Sequence, residues 1–384
     1  MMSFEVFMKH VDSYKPRWFS ALTLRHLTYA VGVFAASFAF CIVSAAAADE
    51  GGSSIEESAL AVESVAVESK GIPSGVDAEP SQDGAEELNN EVWLVSSRQV
   101  SCPSDNLTGL KYFRRIQNQW VETSAEEFDR TPNRPRLNVV FVHGNRTDFK
   151  WASRRGLQAY DSFVDSQNPG VPTRYVIWAW PSDQVSGLVT DFRIKARRAN
   201  REGLLFGTFL ANLPSDERVS LVGYSYGSRI VLGGLELLSG EKLFGHQLGL
   251  PENYEPPEFR VTLIAAATGN GSLTPKATYG HAYPMMDRLL LVNNTADRAL
   301  KFYKFLDRQR RISALGRGIA GRSLLEDGGE RVEQFDFAKE IGHEHSLTGY
   351  FCSGRIRNLL KQQVFWMDDN GEITEAVDSG SSSR

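Results

Sequence analysis

The chain has 384 residues, of which 42% are apolar and 11% aromatic, enough to bury one large hydrophobic core or two small ones. Charged residues make up 23%, and the 33 glycines and 15 prolines are ordinary, which excludes a wholly disordered, collagen-like or coiled-coil chain. Three cysteines are too few for a disulfide scaffold. The net charge of −5 is unevenly spread, because residues 49–91 carry twelve acids against one lysine, whereas residues 92–384 have a small basic excess.

The first 48 residues have the pattern of an export signal. A basic, hydrophilic start ends at Arg25, and an apolar run follows over residues 27–48. Ala46 and Ala48 at its end match the A-x-A pattern that precedes a cleavage site. The alternative is an uncleaved anchor, because about 20 apolar residues can also span a bilayer and would hold the protein on a membrane. We favour cleavage and therefore expect an exported protein, periplasmic or extracellular.

Two further segments have compositions that do not support a packed core. Residues 49–90 are rich in Glu, Ser, Ala and Gly and contain no aromatic residue, so we expect an acidic disordered linker. Residues 367–384 combine several acids with a run of serines and are predicted to form a disordered tail. The sequence therefore predicts one globular domain over residues 91–366.

Within this domain, predicted strands alternate with predicted helices. Most central strands are nearly continuous apolar runs, as expected for strands buried on both faces of a parallel sheet. The predicted strands are residues 92–100, 120–123, 138–142, 175–180, 219–224, 260–266, 289–293 and 332–337. The predicted helices are residues 148–166, 190–213, 228–238, 299–313 and 354–363. This alternation predicts an α/β fold with right-handed crossovers, whose active site lies at the carboxyl ends of the strands.

A Gly-Tyr-Ser-Tyr-Gly motif at residues 223–227 directly follows a predicted strand and opens a predicted helix. In that context a G-x-S-x-G pattern forms a sharp turn that exposes the hydroxyl of its serine, Ser225, above the sheet. The N-terminus of the following helix adds partial positive charge where an oxyanion would form. The alternative is a glycine-bracketed turn in which Ser225 only caps the helix. We favour a nucleophile, because strand, motif and helix come in the required order.

A serine nucleophile needs a base, and after an elbow of this kind the acid and then the histidine follow in the chain. Asp297 comes just after the apolar strand at residues 289–293, on the same sheet edge as Ser225; its alternative role is a helix N-cap. With Asp297 as the acid, the base is His343 or His345. Two residues apart in an extended segment, both would point to the same side, so the spacing does not separate them. The pair has no nearby third ligand, so we expect no zinc site.

The sequence His-Gly-Asn-Arg at residues 143–146 directly follows a predicted apolar strand. A sharp loop at that position offers backbone N–H groups as one half of an oxyanion hole. We predict that the two donors are the backbone N–H groups of Asn145 and Tyr226. His143 is predicted to hold the loop by hydrogen bonds.

Five motifs together point to a known family. They are Phe-Val-His-Gly-Asn at 141–145, Trp-Ala-Trp-Pro-Ser at 178–182, Gly-Tyr-Ser-Tyr-Gly-Ser-Arg at 223–229, Asp-Arg-Ala-Leu at 297–300 and His-Ser at 345–346. In these motifs, residues 91–365 resemble a family of mostly bacterial α/β-hydrolase-fold proteins of largely unassigned specificity. The resemblance implies an eight-stranded, mostly parallel sheet flanked by helices. It also implies a triad of Ser225, Asp297 and His345, and so favours His345 over His343.

These features predict an exported serine hydrolase that cleaves an ester or related acyl bond of a small molecule through a covalent acyl-enzyme. Thioesterases and peptidases use the same machinery. The alternative is a non-catalytic α/β-hydrolase-fold module that binds a partner in the cell envelope. We expect no cofactor and no nucleic-acid partner, and free thiols at Cys102 and Cys352. Five aromatic residues are candidates either for an acyl pocket or for plain core: Trp178, Trp180, Tyr224, Tyr226 and Tyr283.

Overall fold

The nine strands in the part of the domain that the structure describes form one sheet. In chain order they are β1 (Glu91–Ser96), β2 (Lys111–Ile116), β3 (Gln119–Thr123), β4 (Leu137–Val142), β5 (Thr173–Ala179), β6 (Arg218–Tyr224), β7 (Glu258–Ile264), β8 (Met286–Asn293) and β9 (Val332–Asp336). Their order across the sheet is β3-β2-β1-β5-β4-β6-β7-β8-β9. All neighbours are parallel except that β2 runs antiparallel to both β1 and β3.

This computed structural model describes residues 90–100, 107–130, 137–185, 187–306, 312–318, 331–368 and 370–374. The predicted export signal, the predicted linker up to residue 89, and Cys102 lie outside these residues. Among the helices of the described ranges, none is both long enough and apolar enough to cross a membrane. Cys352 is exposed and forms no disulfide with another described residue.

Nine helices are described within these ranges. They are α1 (Ala125–Phe128), α2 (Phe149–Ala159), α3 (Leu188–Ala211), α4 (Gly227–Leu238), α5 (Arg298–Lys301), α6 (Tyr303–Leu306), α7 (Ala338–Ile341), α8 (Leu347–Cys352) and α9 (Gly354–Val364). Helix α2 continues into a π-helical turn, and the predicted helix at 299–313 is two short helices, with residues 307–311 outside the described ranges. Helix α4 is buried at every position.

The central strands are buried because helices cover them on both faces. Every residue of β4 and of β5 is buried, and so is every residue of β6 after Arg218. Their apolar sequences match this environment, in which no strand face meets water. The architecture confirms the predicted fold class, an α/β fold with a mostly parallel sheet.

The sequence predicted eight strands, and the strand that it missed is β2. Strands β2 and β3 form a hairpin whose two turn residues, Gln117 and Asn118, have φ values of 47° and 63°. Positive φ at both positions is the two-residue turn that fits the right-handed twist of paired strands. Strand β2 lies near the sheet edge, and its Arg114 pairs with acids on two neighbouring elements. Its charges hide the apolar pattern by which the other strands were found.

The domain extends beyond the predicted boundary at residue 366. Met367 is buried and forms an isolated β-bridge with Ile373. The Thr374 backbone N–H donates to the carbonyl oxygen of Trp366 over 2.9 Å. The first residues of the predicted tail therefore pack on the domain, and residues 375–384 lie outside the described ranges.

The strand order creates a crevice beside β4. The chain passes from β4 to β5 on one side and then returns past β4 to β6 on the other. At such a switch point the loops after the two diverging strands separate and leave room for a ligand at the carboxyl ends. The loops after β4 and β6 contain the predicted oxyanion segment and Ser225.

Candidate active site

Ser225 lies on a sharp turn between β6 and α4, with a φ of 52°. Positive φ is unfavourable for a residue with a side chain and persists only where the surroundings enforce it. Here the Ser225 N–H donates to the carbonyl of Ile264 over 2.9 Å, and the Ser225 carbonyl accepts from Ala267 over 3.1 Å. The elbow is therefore held by its neighbour strand β7 and by the loop that follows β7.

The two glycines of the motif are required by close backbone approach. A Cβ atom on Gly223 would lie 2.9 Å from Cα of Ser228, and one on Gly227 would lie 2.1 Å from the carbonyl oxygen of Val142. Both distances are shorter than real Cβ contacts allow. The tight passage of β6 into α4 explains why the motif has glycine on both sides of the serine.

The structure brings Ser225, Asp297 and His345 together. His345 Nδ1 lies 2.6 Å from Asp297 Oδ2, and His345 Nε2 lies 3.0 Å from Ser225 Oγ. A carboxylate only accepts, so Nδ1 carries the proton and Nε2 accepts from the serine hydroxyl. The Asp297 side chain is fully buried, whereas the His345 side chain is 25% exposed. The strand order, the elbow and this serine–acid–histidine order together have the arrangement of the α/β-hydrolase fold.

Asp297 fills both of the roles considered from the sequence. Its Oδ2 atom faces His345, and its Oδ1 atom accepts from the Leu300 N–H over 2.9 Å, which makes it the N-cap of α5. The two oxygens of one carboxylate therefore serve a histidine and a helix end. The cap also fixes the rotamer from which Asp297 reaches His345.

The His343 ring hydrogen-bonds to neither Ser225 nor Asp297, unlike the His345 ring. Its Nδ1 atom lies 3.1 Å from the carbonyl oxygen of Ala296, and its ring is exposed. The expectation that both imidazoles point to one side is wrong, because the segment is not extended: His343 lies in a turn after Gly342, whose φ is 67°. In the part of the chain that the structure describes, no three His, Cys, Asp or Glu side chains form a candidate metal cluster.

Two residues hold the His345 loop: Asn294, which the sequence analysis did not identify, and Tyr224, which it named only as a candidate for the acyl pocket or the core. The buried Asn294, directly after β8, donates from its amide to the carbonyls of Gly342 at 3.0 Å and Glu344 at 3.1 Å. The Tyr224 hydroxyl donates to the backbone carbonyl of His345, and the two ring centroids are 5.5 Å apart. The sequence offered one signal for Asn294, its position directly after an apolar strand, because a polar side chain buried at a strand end needs hydrogen-bond partners.

The loop after β4 is built around His143, which is fully buried. Its Nδ1–H donates to the Gly144 carbonyl over 2.9 Å, and its ring stacks on Trp180 with centroids 5.8 Å apart. Desolvation lowers the pKa of His143 to about 3, so the ring is neutral. These contacts match the predicted role of His143 in shaping the loop.

The two predicted oxyanion donors belong to segments that border Ser225. Tyr226 follows it directly and is the N-cap residue of α4. Asn145 follows Gly144, where an added Cβ would lie 3.1 Å from Cβ of Ser225. The loop after β4 therefore approaches the serine closely. Binding of an oxyanion by the two N–H groups remains a prediction.

The five candidate pocket aromatics are all buried, but they occupy different places. Tyr224 and Tyr226 flank Ser225, and Trp180 contacts the His143 loop. Trp178 is core: its indole N–H donates to Glu202 over 3.2 Å. Tyr283 precedes β8, at the opposite end of that strand from Asp297, and is core as well.

Comparison with known proteins adds a fold-level likeness only. No family model and no curated protein matches the sequence. The poly(3-hydroxybutyrate) depolymerase LpqC from Bordetella parapertussis is 13% identical, with a TM-score of 0.33, and covers 71% of this chain and 89% of its own. An acetylxylan esterase is 14% identical, with a TM-score of 0.28, and covers 60% and 95%. Sequence identities and TM-scores this low assign no function to this chain.

Proposed function

We propose that the protein is an exported serine hydrolase that cleaves an ester or a related acyl bond through an acyl-enzyme. The observation that carries the proposal is a pair of hydrogen bonds: His345 Nδ1–H donates to Asp297 over 2.6 Å, and the Ser225 hydroxyl donates to His345 Nε2 over 3.0 Å. This is the geometry of a base that is oriented by an acid and lies within reach of a nucleophile. Export rests on the pattern of residues 1–48.

In the proposed reaction, Ser225 Oγ attacks the acyl carbon while His345 Nε2 takes the hydroxyl proton. Asp297 stabilises the imidazolium that forms. The carbonyl oxygen becomes an oxyanion between the N–H groups of Asn145 and Tyr226. When the C–O bond breaks, the alcohol leaves with the proton from His345, and the acyl group remains on Ser225. Water, deprotonated by His345, then attacks the acyl-enzyme, releases the acid and restores the serine hydroxyl.

The strain and burial at the site support catalysis over a purely binding role. A non-glycine residue held at positive φ costs roughly 1–3 kcal/mol, and Ser225 has that conformation. Asp297 is a fully buried carboxylate, which is stable only with good hydrogen-bond partners. A module that merely binds a partner needs neither feature, whereas a nucleophile elbow needs both.

We further propose that the substrate is soluble or short-chain. Ser225 is only 5% exposed, and the buried rings of Tyr224 and Tyr226 stand on either side of it in the chain. The chain between β7 and β8 folds back in a series of turns that contains no α-helix. A large helical lid of the lipase type would have to come from elsewhere in the protein.

The decisive experiment is labelling of the full-length protein with a fluorophosphonate probe. Wild type is expected to react, Ser225→Ala is expected not to react, and Ser239→Ala is the matched control, because Ser239 lies at the far end of α4. A series of p-nitrophenyl esters of increasing chain length then defines the acyl preference. Folded wild-type protein that neither reacts with the probe nor hydrolyses any ester of the series would support the binding module instead.

A further inference from the structure

The segment that follows β5 is hydrogen-bonded to both ends of the predicted oxyanion loop. At the start of the loop, the Trp180 indole N–H donates to the His143 carbonyl over 2.8 Å. At its end, the Ser182 hydroxyl donates to the Thr147 carbonyl over 2.8 Å. Trp180 and Ser182 of the Trp-Ala-Trp-Pro-Ser motif thus tie both ends of the loop to the segment that follows β5.

The middle of the loop is tied by one carboxylate. Asp191, in the first turn of α3, accepts from the Asn145 side-chain amide at 3.3 Å and from Arg146 Nε at 3.0 Å, both on its Oδ2 atom. Asp191 is fully buried. Arg146 has a φ of 56°, a conformation that a non-glycine residue keeps only where its surroundings hold it.

Asp191 is itself held from the other side. Its Oδ1 atom accepts from the Val185 N–H at 2.9 Å and from Lys195 Nζ at 3.1 Å, and Lys195 is also fully buried. Burial opposes ionisation of Asp191, but the hydrogen bonds from Val185, Arg146 and Lys195 lower its pKa overall, so it is charged at neutral pH. The Asp191 carboxylate therefore links Arg146 of the oxyanion loop, the backbone at Val185 and Lys195 of α3.

We infer that Asp191 is a positioning residue that sets the direction of the Asn145 N–H toward the oxyanion. The side chains of Asn145 and of the next residue, Arg146, both end on the same oxygen of Asp191, so a change in the backbone conformation at Asn145 strains or breaks these bonds. A donor stabilises a transition state only if it is aimed before the charge develops. The inference rests on the proposed function, because the direction of this N–H matters only if an oxyanion forms there.

The test uses two variants and one control in the full-length protein, assayed on a p-nitrophenyl ester. Asp191→Asn removes the charge of the carboxylate that accepts from Asn145 and Arg146. Asn145→Ala removes the side-chain hydrogen bond to Asp191 but keeps the backbone N–H of residue 145 and the buried ion pair between Asp191 and Lys195. Each is expected to lower kcat about 10-fold or more, with KM within about twofold and an unchanged pH profile, because neither side chain contacts the triad. Gln184→Ala is the control in the same segment: the Gln184 side chain is exposed, and the variant is expected to keep wild-type rates.

The double variant, with both Asp191→Asn and Asn145→Ala, tests whether the two residues lower kcat through one shared contact or independently. If Asn145 acts through Asp191, the loss in the double variant is smaller than the product of the single losses. Should Asp191→Asn fail to fold, Asn145→Ala alone decides. Folded variants whose kcat stays within twofold of wild type, or that raise KM alone, would overturn the inference. Failure of the proposed function is a different result, since wild type itself would then not react with the fluorophosphonate.

Discussion

Replacing Asp297 by asparagine separates the two roles of this carboxylate. The carbonyl oxygen of the substituted side chain can keep the place of Oδ1 and accept from Leu300 N–H, so the cap of α5 survives. The amide nitrogen then takes the place of Oδ2, 2.6 Å from Nδ1 of His345. An amide N–H can only donate, so Nδ1 becomes the acceptor and the imidazole proton moves to Nε2. In that tautomer Nε2 can no longer accept the proton of Ser225.

The expected effect is a large kinetic loss without a stability loss. Breaking the tautomer of a triad histidine lowers kcat about 10³- to 10⁴-fold. At 1.36 kcal/mol per tenfold, this is about 4–5 kcal/mol of barrier. Because asparagine is as good an N-cap as aspartate, the free energy of unfolding is expected to change by less than about 1 kcal/mol. Ester hydrolysis gives kcat, and urea unfolding gives the stability.

Asp297→Ala provides the contrast, because it removes the cap as well as the acid. It is expected to lower kcat similarly and to destabilise the fold by about 1 kcal/mol or more. If Asp297→Asn retains kcat within tenfold of wild type, Asp297 does not orient the base, and the reasoning from geometry to mechanism is wrong. A large stability loss in Asp297→Asn alone would contradict the account of the cap.

Three further changes test the elbow, the histidine loop and a buried acid. Tyr224→Phe removes the hydroxyl that donates to the His345 carbonyl and is expected to lower kcat several-fold in steady-state assays. Gly227→Ala places a Cβ 2.1 Å from the Val142 carbonyl oxygen and is expected to destabilise the domain by about 3 kcal/mol or more in urea unfolding. Burial raises the pKa of Glu202 to about 7, from an ordinary 4.5, so the folded state holds a proton that the unfolded chain releases. This stabilisation is complete below pH 4.5 and decreases by about 3 kcal/mol as the pH rises through 7. Glu202→Gln is expected to remove this decrease in thermal unfolding.

Each of these changes has a control within the chain. Tyr160→Phe removes a tyrosine hydroxyl that contacts Asp165, away from the site, and is expected to keep wild-type kcat. At Gly249 an added Cβ meets no atom within 4 Å, so Gly249→Ala should leave stability nearly unchanged. If Glu202→Gln changes the melting temperature equally at pH 4 and pH 8, ionisation of Glu202 is not the cause of the pH dependence of stability.

Local chemistry explains the parts of the fold that were predictable. The continuous apolar runs of β4, β5 and β6 require burial on both faces, and that requirement leads directly to a parallel sheet. The elbow was equally predictable, because a serine between two glycines, after a strand and before a helix, is a local motif. The contact that requires Gly227, with Val142 of β4, is seen only in the structure. Strand β2 was missed because its charged residues interrupt the apolar pattern, and one of them, Arg114, pairs with acids on β1 and α1.

The site shows where sequence reasoning ends. Proximity in the chain could not choose between His343 and His345, since their directions depend on a turn at Gly342 and on tethers from Asn294. Asp191 was not identified from the sequence, because an acid in the first turn of a helix is usually a solvated residue and its partners in the oxyanion loop are about 45 residues away.

From the sequence alone came the alternation of elements, the position of the candidate nucleophile and the candidate acid and bases, since hydrophobic periodicity and local motifs act over a few neighbouring residues. Tertiary structure decided which histidine faces Ser225, which oxygen of Asp297 it meets and what holds the oxyanion loop. These outcomes depend on contacts between segments far apart in the chain, and they exist only when the sheet has brought its strand ends to one edge.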